Sequence, residues 1–318
     1  MNQAESQAIG EKFLELGFDV SYDKDLVELE EGTVIINSCT VTSEAERKIR
    51  QYIRKVKRNH PNIKVIVAGC GAYTMPQAFT EAGADLILGN HEKKHIQDYI
   101  NEYGIKTDID YWKKEDDPIL VPKESYEGRT RVFFPVQEGC LNSCTYCRIV
   151  FARGRKINSI KKNEVIKIIS GYIEKGFKEI VLTGINLSYY GFDNDENLEE
   201  LISLIEKEFC SKSVRIRLTS LYPDSVTNGI IDVLTTSSIF EHHIHYSLQH
   251  ISDDVLKKMG RRYSASEFFR QAELLRSRDS HFSLTSDIIV GFPGETETDI
   301  YKLSEGIKSL DMLKVHVF

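Results

Sequence analysis

Three of the chain's six cysteines fall in one short segment, Glu138-Gly139-Cys140-Leu141-Asn142-Ser143-Cys144-Thr145-Tyr146-Cys147. The spacing is Cys-x3-Cys-x2-Cys. Clustered thiolates of this kind hold iron–sulfur clusters, which usually take four ligands. Three ligands with no fourth nearby leave one metal position open, and an open position separates a catalytic metal site from a structural one. A structural zinc knot is the alternative. It needs a fourth ligand, and no histidine stands at knot spacing. Six cysteines in 318 residues are too few for a disulfide scaffold. The N-terminus lacks the basic-then-apolar pattern of a secretory signal, so a cytoplasmic location is expected.

Two further cysteines end apolar runs. Cys39 follows residues 33–38 and Cys70 follows residues 64–69. Both stand at the carboxyl ends of expected parallel strands, the edge at which open sheets bind ligands. A single cysteine at such a place is commonly a small buried hydrophobe; two on one edge weaken that reading. Cys210 sits at the end of an expected helix and reads as a bystander. His242, His243 and His245 invite a metal reading, but on a strand only His243 and His245 share a face, and two ligands do not make a site. Glu295 and Glu297 are placed to begin a helix, where carboxylates suit the dipole. Asp287 reads equally as a hydrogen-bond anchor or a substrate contact. No Ser–His–Asp grouping and no P-loop is recognisable.

The elements that position these residues alternate between helix and strand periods. Helical spacing covers residues 5–16 and stops at Gly17. Strands are expected at 33–37, 64–68 and 85–88, and helices at 43–58 and 93–102. Ser43, with Glu46 three residues later, has the pattern of a capping box. This alternation predicts a doubly wound parallel α/β sheet over residues 1–103, opening on a helix with its first strand missing. Residues 104–129, rich in aspartate and proline, read as a linker. Six strands follow, at 132–137, 179–185, 214–219, 243–249, 283–290 and 314–318. Helices at 162–175, 198–209, 225–234, 253–259, 266–278 and 296–309 separate them. Six βα units over 130–318 predict a partial (βα)6 barrel with its chemistry at the C-terminal strand ends.

Composition bounds the class. Apolar residues make up 41% and charged residues 28%, which excludes a disordered or collagen-like chain. Apolar runs stop far short of a membrane span. The net charge of −7 gives no global basic field for nucleic acid. Basic stretches remain at 153–156, 161–162 and 261–262, each as well explained by a solvated surface as by RNA contact.

The cysteine motif after the first barrel strand resembles the radical S-adenosylmethionine (SAM) enzymes, and Tyr146 belongs to the same signature. The resemblance implies that Cys140, Cys144 and Cys147 hold a 4Fe–4S cluster. Its open iron binds SAM, and an electron from it cleaves SAM to a 5′-deoxyadenosyl radical. Thr183 and Gly184 end the second barrel strand, where the family contacts the SAM amino group through backbone. Ser220, Gln249 and the pair Ile288 and Val290 mark the third, fourth and fifth strand ends, the last near the adenine.

Six segments together resemble the methylthiotransferases: MNQAES (1–6), INSCTVT (36–42), AGCGA (68–72), EGCLNSCTYCRIVFARGR (138–155), VLTGIN (181–186) and DIIVGFPGETE (287–297). That family carries a second 4Fe–4S cluster in its first domain, implicated in supplying sulfur, and Cys39 and Cys70 match two of its three ligands. Asn2 matches the asparagine of the turn that bears the other ligand, so that cysteine is expected to fall before Met1 and to be missing here. The family's C-terminal tRNA-gripping β-barrel (TRAM) is likewise expected to be absent. The segment 36–42 looks most like the members that methylthiolate C2 of threonylcarbamoyladenosine beside the tRNA anticodon. Gln249-His250 has some likeness to the type that modifies a ribosomal protein. Partners implied are the tRNA anticodon loop and an electron donor such as flavodoxin or ferredoxin, with no membrane. The other readings are methylthiolation of the ribosomal-protein side chain or of isopentenyladenosine, and a truncated paralogue that binds SAM or RNA without turnover.

Overall fold

The computed structural model describes residues 1–22, 31–107, 117–124 and 129–318. They divide into two compact units, Met1–Glu124 with Cys147–Lys156, and Ser125–Tyr146 with Ile157–Phe318.

The first unit opens on α1 (Asn2–Glu15), which Gly17 ends with a φ of +86°. Strand β1 (Thr33–Ser38) then leads into α2 (Ser43–Asn59), and β2 (Lys64–Gly69) follows. Two short helices, α3 (Cys70–Thr74) and α4 (Pro76–Glu81), precede β3 (Leu86–Leu88). After α5 (Asn90–Lys94) and α6 (Ile96–Tyr99) comes β4 (Gly104–Lys106). The four strands form one parallel sheet in the order β1-β2-β3-β4.

Alternation along β2 explains the layers. Val65 and Val67 join Ile53, Val56 and Phe79 in one apolar cluster. Ile66 and Ala68 join Ala8, Ile9, Phe13, Leu86 and Leu88 in another. A parallel sheet covered on both faces needs apolar side chains at successive positions, and this one has them.

Several local expectations shift. The capping box at Ser43 does not form. Thr42 is the cap, accepting from the Ala45 N–H at 3.2 Å, while the buried Glu46 turns away to accept from Thr40 Oγ1 at 2.6 Å. The single helix expected at 93–102 is two, broken at His95 (φ −116°, ψ 30°). The expected linker begins instead as strand β4. Its stretch 117–124 packs on the first unit, because Leu120 enters the apolar cluster and Glu11 accepts the Lys123 N–H at 2.6 Å. Residues 108–116 and 125–128 of that linker lie outside the described residues.

The second unit starts with β5 (Arg131–Glu138). Helix α7 (Ile149–Arg153) lies in the Cys147–Lys156 segment and so counts with the first unit, although the barrel was expected to keep it. A two-residue strand that the sequence pattern did not announce, β6 (Asn158–Ser159), pairs antiparallel with β5. Then come α8 (Lys162–Glu174), β7 (Glu179–Gly184), α9 (Leu198–Phe209), β8 (Arg215–Leu218) and α10 (Asn228–Thr236). The last elements are β9 (His243–Gln249), α11 (Asp253–Lys258), α12 (Ala265–Arg278), β10 (Ser283–Ile288), α13 (Glu297–Ser309) and β11 (Lys314–Val317).

All six expected barrel strands are present and parallel, in two arcs, β5-β7-β8 and β9-β10-β11. Between β8 and β9 only isolated bridges remain, Ile216 with Phe240 and Leu221 with Tyr246. No described helix is long and apolar enough to cross a membrane.

Phe79 is fully buried in the first unit's core. Phe79→Ala is expected to cost about 3–5 kcal/mol of stability, the range for emptying a buried aromatic site. Urea unfolding followed by circular dichroism measures it.

Candidate metal centres and cofactor site

In the second unit, the chain leaves β5 at Glu138, turns at Gly139 (φ +84°) and enters the loop that carries Cys140 and Cys144. None of the six cysteines is in a disulfide. The loop is tied to neighbouring strand ends. Gln137 donates to the Glu138 and Gly139 carbonyls at 2.7 and 2.8 Å and accepts the Asn186 N–H at 2.9 Å. Asn186 donates in turn to Cys140 Sγ at 3.6 Å. Gly184, between these groups, has no room for a side chain: a Cβ there would lie 2.8 Å from Gln137 Oε1.

The other side of the loop rests on the end of α11. Thr145 N–H and Oγ1 donate to the Met259 and Lys258 carbonyls at 3.1 and 3.0 Å. Gly260 (φ +73°) lets the backbone pass, since a Cβ would meet the Ser143 carbonyl at 2.9 Å. Burial pushes the Cys140 thiol's pKa up, partly offset by hydrogen bonds from Asn142 and Asn186.

Arg261 is the residue that sequence reading misjudged here. It is half-buried, with its guanidinium turned into a ring of tyrosines. Its guanidinium carbon stands 4.4 Å from the Tyr222 ring centroid and 5.8 Å from that of Tyr263, and Nη2 donates to the Tyr146 hydroxyl. Burial holds all three phenols protonated, so none balances its charge. Nε and Nη1 of Arg261 are buried with no hydrogen-bond partner. Cys144 lies within Coulombic reach of the guanidinium and 3.8 Å from the Tyr222 hydroxyl. Buried cations are ordinarily paired, so two orphaned N–H groups beside thiols fit an anionic sulfur centre.

The remaining expected residues fall as follows. Thr183 is buried at the end of β7, and Ser220 lies just past β8. Gln249 closes β9 with a φ of +66°, which a non-glycine residue rarely adopts. Ile288 is buried and Val290 is exposed. A cavity of about 690 Å³ opens beside the cysteine loop, lined among others by Asn142, Asn186, Tyr189, Tyr222 and Arg262. Cys147 is half-buried and begins the segment that groups with the first unit, apart from Cys140 and Cys144.

Glu295 does not begin a helix. It turns inward, accepts from His250 Nε2 at 2.9 Å and from the Phe292 N–H at 3.1 Å, and holds the loop after β10. The helix starts one residue after its cap, Thr296, with Asp299 closing a capping box. His250, fully buried, accepts the Ser252 N–H on Nδ1 at 2.8 Å, so its place in the fold is structural.

In the first unit, Cys39 and Cys70 follow β1 and β2 at the carboxyl edge of the sheet, close enough that Cys70 adds to the rise of the Cys39 thiol's pKa. Burial is the larger cause of the raised pKa of Cys39. Gly69 (φ +98°) makes the turn into Cys70; a Cβ there would lie 2.7 Å from Asn37 Oδ1. Arg153 Nε donates to Cys70 Sγ at 3.2 Å, and Asn90 Nδ2 stands 3.8 Å from it. Arg153 is therefore buried at a thiol, although its basic stretch reads as surface. Two sulfur donors beside a buried cation also fit an anionic sulfur centre. Cys210 is exposed and belongs to the second unit. His91, His95 and Asp117 also bring possible ligand atoms within 4.8 Å of one another. There Lys94 already pairs with Asp117 at 3.3 Å, so no metal is needed to balance the carboxylate.

His243 and His245 on β9, and His242 just before it, behave as their alternation predicts. His243 Nε2 and His245 Nδ1 both stand 2.9 Å from Thr285 Oγ1, and His242 pairs instead with Asp279 at 2.6 Å. Asp287 is a partner of His245 at 3.3 Å.

Residues 134–305 match the Radical SAM superfamily, and residues 1–89 match the Uncharacterized protein family UPF0004. The threonylcarbamoyladenosine tRNA methylthiotransferase MtaB of Thermotoga maritima is 39% identical over all of this chain, which covers 72% of that protein. The Bacillus subtilis protein of the same name is 34% identical over the whole chain, covering 70% of its length. A tRNA-2-methylthio-N(6)-dimethylallyladenosine synthase of Clostridium tetani is 28% identical over 98% of the chain, covering 70% of its length. Among solved structures, the radical S-adenosylmethionine methyltransferase TsrM of Kitasatospora setae aligns with a TM-score of 0.70 over 98% of this chain and 69% of its own, at 14% identity, a likeness of fold.

Strand-end cysteines on a partial parallel barrel, together with these matches, define a radical SAM enzyme, a class that works with a 4Fe–4S cluster and SAM. Within that class the chain belongs to the methylthiotransferase family that includes the MtaB proteins.

His243 supplies a pH test of the barrel. Burial, then Arg217 and His245, push its pKa from 6.5 down to about 4. A lowered folded-state value means that the neutral form is the one the fold accepts. Its stability contribution is complete above about pH 6.5 and is lost as pH falls toward 4. Thermal melts over that window are expected to fall more steeply for the wild type than for His243→Gln.

Proposed function

We propose that this enzyme methylthiolates C2 of threonylcarbamoyladenosine beside the anticodon of tRNA. The observation that carries the reading is the pair of sulfur sites, one in each unit, each with a buried guanidinium beside its thiols. A radical SAM enzyme that only cleaves SAM needs one such site; inserting sulfur calls for a second. The greater identity to the MtaB proteins than to the dimethylallyladenosine synthase supports the substrate.

In this reading Cys140, Cys144 and Cys147 hold the cluster that binds SAM. Bound there, the cluster and SAM supply the one-electron chemistry that breaks an unactivated C–H bond. Tyr146, Thr183, Gly184, Ser220, Gln249, Ile288 and Val290 line the SAM position. Cys39 and Cys70 contribute to a second 4Fe–4S centre. The target base is drawn out of its stack to reach the site, as chemistry on a base requires. The reaction takes place in the cytoplasm, with flavodoxin or ferredoxin as electron donor.

The decisive experiment is mass analysis of tRNA nucleosides from a strain lacking the gene. Threonylcarbamoyladenosine is expected to accumulate without its 2-methylthio form. The wild-type gene is expected to restore the modified nucleoside and a Cys144→Ala copy is not. Unchanged 2-methylthio product in the deletion strain would refute the substrate.

Helix α2 supports an RNA partner despite the acidic net charge. It carries Arg47, Lys48, Arg50, Arg54, Lys55, Lys57 and Arg58 against Glu44 and Glu46. Glu44 pairs with Arg47 and Lys48, and Asp85 pairs with Lys57. Arg54, Lys55 and Arg58 are exposed with no ion pair among the described residues. If they contact phosphates, replacing all three by Gln lowers the slope of log K against log salt for tRNA binding by about 2 to 3, at roughly 0.7–0.9 per contact. An unchanged slope would remove α2 from the interface.

A further inference from the structure

The carboxyl edge of the first unit's sheet buries more charge than a packing role needs. Glu5 and Lys93 are 1% and 0% exposed and pair at 2.9 Å. The second oxygen of Glu5 accepts from Arg153 Nη2 at 2.7 Å. Burial opposes ionisation of Glu5, but Arg153 and Lys93 outweigh it and hold its pKa well below the usual carboxylate range. Lys93 also donates to Asn90 Oδ1 at 3.3 Å, and Asn90 Nδ2 donates to the Ala152 carbonyl at 2.6 Å. That last bond fixes the backbone next to Arg153.

Counted over side chains, the network holds two cations and one carboxylate. Arg153 Nε donates to Cys70 Sγ at 3.2 Å, so part of the network's positive charge is turned toward that sulfur. Glu5 takes Nη2 and leaves Nε–H aimed at the sulfur, so the fork's direction is set by a partner that is itself held in place.

We infer that Arg153 is a positioning residue for Cys70: it aims an N–H at the Cys70 sulfur and raises the reduction potential of the iron–sulfur centre formed there. The inference rests on the proposal that Cys39 and Cys70 belong to a second centre. Hydrogen bonds and positive charge at a cluster's sulfurs favour its reduced, more negative state, which is the physical basis of the effect. Lys93 and Glu5 act at one remove, by fixing the guanidinium.

The test uses the full chain with Cys140, Cys144 and Cys147 changed to Ala, loaded anaerobically with iron and sulfide. The readouts are iron content and a redox titration followed by electron paramagnetic resonance. Arg153→Gln is expected to retain iron and to shift the reduction equilibrium about tenfold toward the oxidised form, about 59 mV for one electron. Arg153→Lys keeps the charge but loses Nε–H, and a smaller shift of the same sign is expected. Iron-loaded Arg153→Gln with the parent's potential overturns the inference and leaves the second centre standing. If Arg153→Gln does not load, Arg153→Lys decides, and a potential equal to the parent's overturns it. A parent that binds no iron refutes the second centre, and the inference falls with it.

Discussion

A carboxylate sealed from water stays ionised only if cations reach it, and Glu5 meets that constraint with two. Much of the first unit's geometry follows. Glu5 stands on the same stripe of α1 as Ile9 and Phe13, so packing that stripe against the sheet carries the charge inside. Asn37, at the end of β1, donates to Glu5 and to the Asn2 carbonyl at 3.3 and 3.1 Å, which fixes the start of α1 over the strand's carboxyl end. Lys93 arrives from the helix after β3 and Arg153 from α7. Elements far apart in sequence are thus held to one sheet edge by a single buried acid. Buried ion pairs add little net stability after desolvation, so their value here lies in fixing position.

The second unit meets the opposite problem. Arg261 has Nε and Nη1 buried with no hydrogen-bond partner, among phenols that burial keeps neutral, and burial also disfavours the charged form of Asp224, the carboxylate within its Coulombic reach. Its ring contacts and its bond to Tyr146 hold the guanidinium in place but do not cancel its charge. The cysteine loop beside it is rigid for separate reasons, through Gln137, Asn186 and the passage over Gly260. Thiols fixed next to buried guanidinium nitrogens that lack hydrogen-bond partners make a place that fits an anionic ligand set.

Much of this was legible in the sequence, and the losses have physical causes. Strand periods gave all six barrel strands, and helix spacing gave α2 and α9 nearly to the residue. What failed was local. Ser43 lost the cap to Thr42 because Glu46 is drawn to Thr40 instead of back to the helix start. Glu295 was taken from the helix by His250. The linker ran short because three residues, Gly104–Lys106, suffice for an edge strand and carry no readable period. At the sites, cysteine spacing marks the candidate metal ligands, since thiols have few other reasons to cluster. The residues that tune them were hidden. A buried arginine is written in the same letter as a solvated one, and Arg153 and Arg261 both sat in stretches that look like ordinary surface.

The two guanidiniums differ in a way that bears on how each centre works. Arg153 already donates to Cys70 and is braced by Glu5, so its sulfur is oriented before any metal arrives. Arg261 has Nε and Nη1 unspent, and its third nitrogen is bonded to a neutral phenol rather than a carboxylate. A donor locked onto a ligand changes the ligand's electronic character continuously. A donor left open responds to whatever charge is placed beside it, and so favours states in which negative charge has accumulated. The first arrangement suits a centre whose poise is set by the fold; the second suits one that must accept an electron and pass it on.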